Sequence, residues 1–168
     1  MALDYKQEVY NRIGELGLLD PEDVKINGFG VTFSLQNISG YTQFKAVGQV
    51  EFEDRGEEKP VEYLSVSLLL AKDIDEKNAG KMIPKLYEIN MNYRTGMFFL
   101  DGGGNLCFNS SFPVPRDDVD CTIKLFLAEF LDLTDFVNGV YPYLLRVVAH
   151  PEDCDLREYI EAMIGEGE

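Results

Sequence analysis

Three segments in the first half of the chain alternate apolar residues with smaller or polar ones. In the first segment, "FGVTFSLQ", the apolar positions are Phe29, Val31, Phe33 and Leu35. Because successive side chains of a strand point to opposite faces, a period of two predicts a strand with one buried face. The turns between the segments are short, which predicts an antiparallel meander of three strands. The apolar positions of the other two segments are Phe44, Ala46, Val50 and Phe52, then Leu64, Val66, Leu68 and Leu70.

Helical spacing precedes and follows this meander. Residues 4–17 carry apolar side chains at three- and four-residue intervals, which predicts a first helix. A second helix is predicted to begin near Asp73 or Asp75, and Pro84 is expected to end or bend it because proline lacks an amide hydrogen. The side chains that we expect this helix to turn toward the core are Ile83, Leu86 and Tyr87.

The most extended helical pattern begins at Val119. Its apolar residues recur at steps of three and four and form one stripe: Val119, Ile123, Phe126, Phe130, Val137, Tyr141 and Leu144. Four more apolar residues widen the stripe to about half of the helix circumference, more than docking on one sheet usually requires. Those four are Leu125, Phe136, Val140 and Tyr143.

The four residues that widen the stripe need a covering surface if they are not to be exposed to water. In water they would form an apolar patch of the kind that monomers usually avoid. A short final helix at about 153–164, a second copy of the chain or a client protein could cover it. Glu129 lies within about 40° of Leu125 and Phe136 around the helix, and a charge there suits the rim of an intermolecular contact. We therefore predict that Leu125, Phe136, Val140 and Tyr143 form a partner surface.

The stretch "FFLDGGGNLCF" contains three consecutive glycines. A phosphate loop requires Gly-Lys-Ser/Thr after its glycines, but Asn105 and Leu106 follow here. A dinucleotide loop requires a helix next, and "NLCFNSSF" has a strand pattern. A calcium loop starting at Asp101 requires oxygen ligands at set positions, of which only Asn105 fits. We predict a β-hairpin over residues 95–113 with Asp101 to Asn105 as its turn and no bound metal or nucleotide.

Composition narrows the partners and the location. The formal net charge is -15, from 30 acidic and 15 basic residues, so nucleic acid phosphates and anionic membranes are disfavoured as partners. Basic or amphipathic polypeptides are favoured instead. No apolar run approaches the length of a membrane span, and "MALDYKQEVY" lacks the order of a signal peptide. Three scattered cysteines indicate neither a disulfide framework nor a zinc ribbon, so a cytoplasmic location is expected.

Candidate chemistry is confined to the segment "HPEDCD". His150 is the only histidine, and Glu152, Asp153 and Asp155 could join it at a metal ion. Alternatively, Pro151 and these acids begin the last helix, whose dipole favours acids at its start. Cys154 could be a reactive thiol, but its acidic neighbours would raise its pKa. Because no specific active site emerges, we predict that the protein is not an enzyme and has no cofactor.

A family resemblance rests on "LYEINMNYRTGMFFLDGGGNLCFNSSFPV", residues 86–114. The motif F-x-L-D-x-x-G-N-L and the strand end S-x-P-V within it resemble the YbjN-like branch of the type III secretion chaperone-like fold. The resemblance implies an α+β fold with a five-stranded antiparallel sheet, in the order α-β-β-β-α-β-β-α plus a C-terminal helix. It also implies no cofactor and often a homodimer, and relatives in secretion systems bind extended segments of client proteins.

These patterns predict one domain over residues 1–168, with a core at about 25–147 and a C-terminal helical extension at 151–168. The leading functional hypothesis is a non-enzymatic protein-binding module, chaperone-like or regulatory. The first alternative is a small-molecule sensor with an apolar cavity under the sheet, lined by Tyr63 and Phe99. The second alternative is an enzyme that uses His150 and Cys154.

Overall fold

The computed structural model describes residues 4–19, 21–36, 45–55, 61–92, 96–149 and Glu158. These residues form an α+β structure in which three helices accompany one antiparallel sheet. The helices are α1 (Tyr5–Glu15), α2 (Glu76–Asn90) and α3 (Val119–Ala149). The strands are β1 (Lys25–Asn27), β2 (Gly30–Gln36), β3 (Lys45–Glu53), β4 (Val61–Ala71), β5 (Gly96–Leu100) and β6 (Leu106–Pro115). Their order across the sheet is β1-β2-β3-β4-β6-β5.

The sheet has six strands, so the prediction of five is wrong. The additional strand, β1, pairs with the beginning of β2 through a turn at Gly28 and Phe29. All three residues of β1 are exposed, so this strand carries no alternation of burial that a sequence pattern could reveal. Phe29 lies in the turn and is 84% exposed, which contradicts its predicted place in the core.

One face of the sheet is buried, as the alternation predicted. Val31 and Phe33 of β2 and Leu64 and Val66 of β4 are each at most 1% exposed. The ring of Phe33 lies against Gly48 of the neighbouring strand, where a Cβ would collide with it. Glycine therefore makes room for an aromatic ring between the sheet and the helices.

Helix α3 packs on this buried face with the predicted stripe. Asp118 begins the helix by accepting a hydrogen bond from the Cys121 N–H at 2.9 Å. Ile123, Phe126 and Phe130 are buried, and Phe130 meets Phe33 edge-on at a ring distance of 5.8 Å. Residues of β2, β4 and α3 therefore share one core.

Several predictions concern parts of the chain outside the described ranges. These parts are Phe44, His150, Cys154 and the predicted final helix at about 153–164. The extension at 151–168 is described only at Glu158. These expectations stay predictions.

Candidate partner-binding surface

The glycine-rich stretch forms the predicted hairpin turn between β5 and β6. The Asp101 N–H donates to the Asn105 carbonyl at 3.0 Å. The Asp101 carboxylate accepts from the backbone N–H groups of Gly103 at 2.8 Å and Asn105 at 2.9 Å. Gly104 has a φ of 75°, a left-handed conformation that glycine adopts without steric cost. The carboxylate of Asp101 is thus used to close the turn.

The hairpin tip also docks on the segment that precedes α2. The Ile74 N–H donates to the Gly104 carbonyl at 2.9 Å, and a Cβ on Gly104 would lie 2.7 Å from the Ile74 carbonyl oxygen. Hydrogen bonds from the side chain and backbone of Asn105 lower the pKa of Asp101. No group of three or more histidine, cysteine or acidic side chains among the described residues could hold a metal ion.

At its other end, α2 closes the free edge of β5. The Phe98 N–H donates to Asn90 Oδ1 at 2.8 Å, and Asn90 Nδ2 donates to the Phe98 carbonyl at 2.7 Å. The Asn90 amide thus takes the place of a neighbouring strand at the middle of β5. An edge strand with unpaired backbone groups is a template for strand addition. Asn90 removes that template at Phe98.

These two attachments fix the direction of α2. The residue before its cap, Ile74, is bound to the hairpin tip at Gly104, and its last residue, Asn90, is bound at Phe98. Helix α2 therefore runs along the edge of β5 in the direction opposite to that strand. Asp75 begins the helix by accepting from the Asn78 N–H at 3.0 Å, as predicted.

Helix α2 continues through Pro84, which does not end it. Proline leaves the carbonyl of the residue four positions earlier without its helical donor, and here that residue is Gly80. Gly80 is exposed and has open space around it, so water can reach its carbonyl. The unpaired group therefore costs little.

Helix α2 carries a second apolar face that points into solvent. The buried face consists of Met82, Leu86 and Ile89. Ile83 is 56% exposed and Tyr87 is 66% exposed, so the prediction that both face the core is wrong. Of the three residues predicted to face the core, only Leu86 is buried. Met91 follows the exposed residues at the same four-residue step and is 69% exposed.

This exposed face begins at the edge of β5. At 100° per residue, Asn90 lies about 20° from Ile83, and Tyr87 lies about 40° from Ile83 on the side away from Asn90. Since Asn90 touches the β5 backbone, Ile83 also lies on the side of that edge. Tyr87 and Met91 then extend the apolar stripe outward.

The adjoining strand exposes apolar residues as well. Phe98 is buried, whereas its neighbours Met97 and Phe99 point to the opposite face of the sheet and are 55% and 39% exposed. No described helix covers that face at these two residues. We call the set Ile83, Tyr87, Met91, Met97 and Phe99 the α2–β5 surface.

A row of apolar side chains continues the α2–β5 surface across the sheet. Phe99 pairs with Cys107, Cys107 with Leu69, and Leu69 with Val47. Directly paired side chains on one face lie about 5 Å apart. Val47, at the far end of the row, is 50% exposed. The apolar surface therefore reaches from the β5 edge to strand β3.

The four predicted residues on α3 do not form one exposed surface. Tyr143 is only 1% exposed, and Phe136 packs against the rings of Phe98 and Phe108 at 5.6 and 6.2 Å. Val140 is partly buried against the same core, and Leu125 is 37% exposed. For Phe136, Val140 and Tyr143 the expected exposure is wrong, because α3 packs on the rings of β5 and β6, whereas Leu125 stays exposed. Burial, with a smaller contribution from Asp132, raises the pKa of Glu129, so this carboxyl is partly withdrawn from water.

The two residues expected to line a sensor cavity under the sheet, Tyr63 and Phe99, lie on the other face of the sheet. Tyr63 lies on the exposed face of β4, where the Arg55 guanidinium stacks on its ring at 3.9 Å. Phe99 lies on that same face, so neither side chain lines a space under the sheet. A charged cleft of about 440 Å³ lies elsewhere, beside Tyr5. Its Glu62 forms ion pairs with Lys6 at 3.8 Å and with Arg116 at 3.3 Å.

Comparisons with family models, curated proteins and solved structures found no match for this chain. Within the described ranges, no helix has the length and apolar character that crossing a membrane requires.

Proposed function

We propose that this chain is a non-enzymatic protein-binding module, chaperone-like or regulatory, and that the α2–β5 surface holds its polypeptide partner. One observation carries the proposal. Of the ten large apolar side chains that are substantially exposed in the described part of the chain, five belong to this surface. Concentration of exposed apolar side chains in one place is typical of interaction sites, whereas scattered ones are normal.

The residue types support protein recognition. Tyr87 and Phe99 are aromatic, and aromatic residues and methionine are enriched in interfaces relative to the rest of protein surfaces. Met91 and Met97 have flexible side chains that adapt to irregular partners. Because Asn90 occupies the backbone groups of Phe98, the partner is recognised through side chains at this point and not by adding a strand.

Membership of the YbjN-like branch is part of the proposal. The element order from β2 to α3 agrees with that resemblance, and residues 98–114 form the hairpin on which it rests. Strand β1 is an addition to the expected five-stranded sheet. The binding of extended client segments by secretion chaperones supports a similar use of the α2–β5 surface here.

The proposal is tested with paired double variants. Tyr87→Gln with Met97→Gln removes two exposed apolar side chains from the α2–β5 surface without changing the charge. The control is Phe29→Gln with Leu131→Gln, which alters residues that are 84% and 48% exposed elsewhere. Each purified protein is immobilised and exposed to extract of the native cell, and captured proteins are quantified by mass spectrometry.

We expect wild type and control to capture the same protein and the Tyr87/Met97 variant to lose it. All three proteins should give the same circular dichroism spectrum and thermal midpoint within error, because the altered side chains are exposed. Equal capture by the Tyr87/Met97 variant would contradict the proposed site. Loss with the control variant alone would place the binding surface elsewhere.

A further inference from the structure

The exposed stripe of α2 has a charge only at one end. At 100° per residue, Glu76, Ile83, Tyr87 and Met91 lie within a sector of about 80°. The lysines of this helix lie outside that sector, about 120–200° from Ile83. They are Lys77, Lys81 and Lys85. A partner lying along the stripe therefore meets three apolar side chains and one carboxylate, which is at the N-terminal end.

Two more carboxylates lie at this same end, that of Asp101 at the hairpin tip and that of Asp73 in the segment before α2. Asn105 links these two residues, since its Oδ1 accepts from the Asp73 backbone N–H at 3.4 Å and its Nδ2 donates to Asp101 Oδ2 at 2.9 Å. Asp73 is exposed and has a φ of 58°, in the segment that precedes α2. We call Asp73, Glu76 and Asp101 the acidic end of the α2–β5 surface.

The acidic end is not neutralised by cations of the described residues. None of its three carboxylates forms an ion pair there, in contrast to Glu62, which has two. Hydrogen bonds from Asn105 lower the pKa of Asp101, so its carboxylate stays ionised even somewhat below the ordinary value of 3.8. Exposed charges of one sign attract opposite charges over about a Debye length of 8–10 Å. A cation on a bound partner would complete this arrangement.

We infer that the occupant of the α2–β5 surface is a polypeptide segment of another protein, with apolar side chains along its length and lysine or arginine at the end that meets Asp73, Glu76 and Asp101. The inference rests on the proposed function and specifies the partner. A second copy of the chain fits less well, because it brings a further net charge of -15 and the same three carboxylates.

Site-specific photo-crosslinking in extract of the native cell tests the inference on the full chain. A photo-reactive phenylalanine analogue is placed at Tyr87, in the middle of the stripe, or at Gly102, at the hairpin tip. Gly102 is exposed, and a Cβ there meets nothing within 4 Å. The control position is Leu131, exposed on α3. Linked peptides are identified by mass spectrometry.

We expect both probes to link one segment, with lysine or arginine within a few residues of the Gly102 link. A synthetic peptide of that segment is then titrated against wild type and against Asp73→Asn with Glu76→Gln. Exposed ion pairs each contribute about 0.2–1 kcal/mol, so losing two should weaken binding about 2- to 30-fold at low salt. The matched control is Asp4→Asn with Glu8→Gln on α1, which should change the affinity by less than about 2-fold.

The possible failures can be told apart. Links to the chain's own sequence would identify a second copy and overturn the inference while leaving the α2–β5 surface in place. A linked segment without basic residues, or one whose affinity is unchanged in the Asp73/Glu76 variant, would also overturn the inference alone. Absence of links at both Tyr87 and Gly102 would overturn the proposed function as well.

Discussion

Replacing Asn90 with alanine tests how the edge of β5 is closed. The substitution removes two partly buried hydrogen bonds, of 2.7 and 2.8 Å, to the backbone of Phe98. Each contributes about 0.5–1.5 kcal/mol, so their loss costs about 1–3 kcal/mol. Alanine has a higher helix propensity than asparagine, which offsets up to about 0.5 kcal/mol. We expect the free energy of unfolding to fall by about 0.5–2.5 kcal/mol.

Urea denaturation followed by circular dichroism measures this change. With a slope of about 2 kcal/mol per molar, the midpoint should fall by about 0.25–1.25 M. Asn92→Ala is the matched control, because Asn92 makes one exposed hydrogen bond to the Glu88 carbonyl at 2.9 Å and none to the sheet. Its midpoint should change by less than that of Asn90→Ala.

A second variant separates hydrogen bonding from packing. Asn90→Asp keeps an acceptor for the Phe98 N–H but loses the donor and places a carboxylate against the Phe98 carbonyl. This variant should be at least as unstable as Asn90→Ala. If both Asn90 variants were as stable as Asn92→Ala, the reasoning that Asn90 replaces a neighbouring strand would be refuted.

Three further predictions concern the turn and the core. Gly104→Ala should lower the free energy of unfolding by about 1–3 kcal/mol, because φ is positive and Ile74 is close, whereas Gly102→Ala should be nearly neutral in the same urea assay. Because the pKa of Asp101 is lowered on folding, its stabilisation is present above its ordinary value of 3.8 and is lost as pH falls further. The stability difference between wild type and Asp101→Asn should therefore be smaller at acid pH than at neutral pH, and an unchanged difference would contradict this. Asn138 is 5% exposed, and its side-chain amide has no hydrogen-bond partner in the described ranges. Because a buried amide without a partner is destabilising, Asn138→Leu should raise the free energy of unfolding by about 1–2 kcal/mol. A lower thermal midpoint for this variant would contradict the prediction.

The spacing of apolar residues and the residue types at the turns were sufficient to predict most helices and strands. Alternation at Val31, Phe33, Leu64 and Val66 identified the buried face of the sheet, because a strand puts every second side chain on one side. The hairpin at Asp101 followed from the absence of phosphate or calcium ligands beside the glycines. These conclusions depend only on neighbours along the chain, and local backbone geometry determines them.

The exposed apolar residues were misplaced because their prediction required knowing what lies opposite each helix. On α3, the apolar sector that includes Phe136 and Tyr143 was expected to be wider than the sheet could cover. Phe136 instead packs on Phe98 and Phe108. On α2, the apolar residues also span more than one face, and the same width argument applied to Ile83 and Tyr87 would have detected the exposed stripe.

The sequence by itself determined the antiparallel meander, the hairpin turn and the apolar stripe of α3, since each follows from the spacing and type of neighbouring residues. The tertiary structure decided which apolar faces remain in water. Helix α2 is held along β5 by Asn90 and by the Ile74–Gly104 hydrogen bond, and this placement buries Leu86 while leaving Tyr87 exposed. Burial depends on contacts between segments that are distant in sequence, and no periodicity along one helix specifies them.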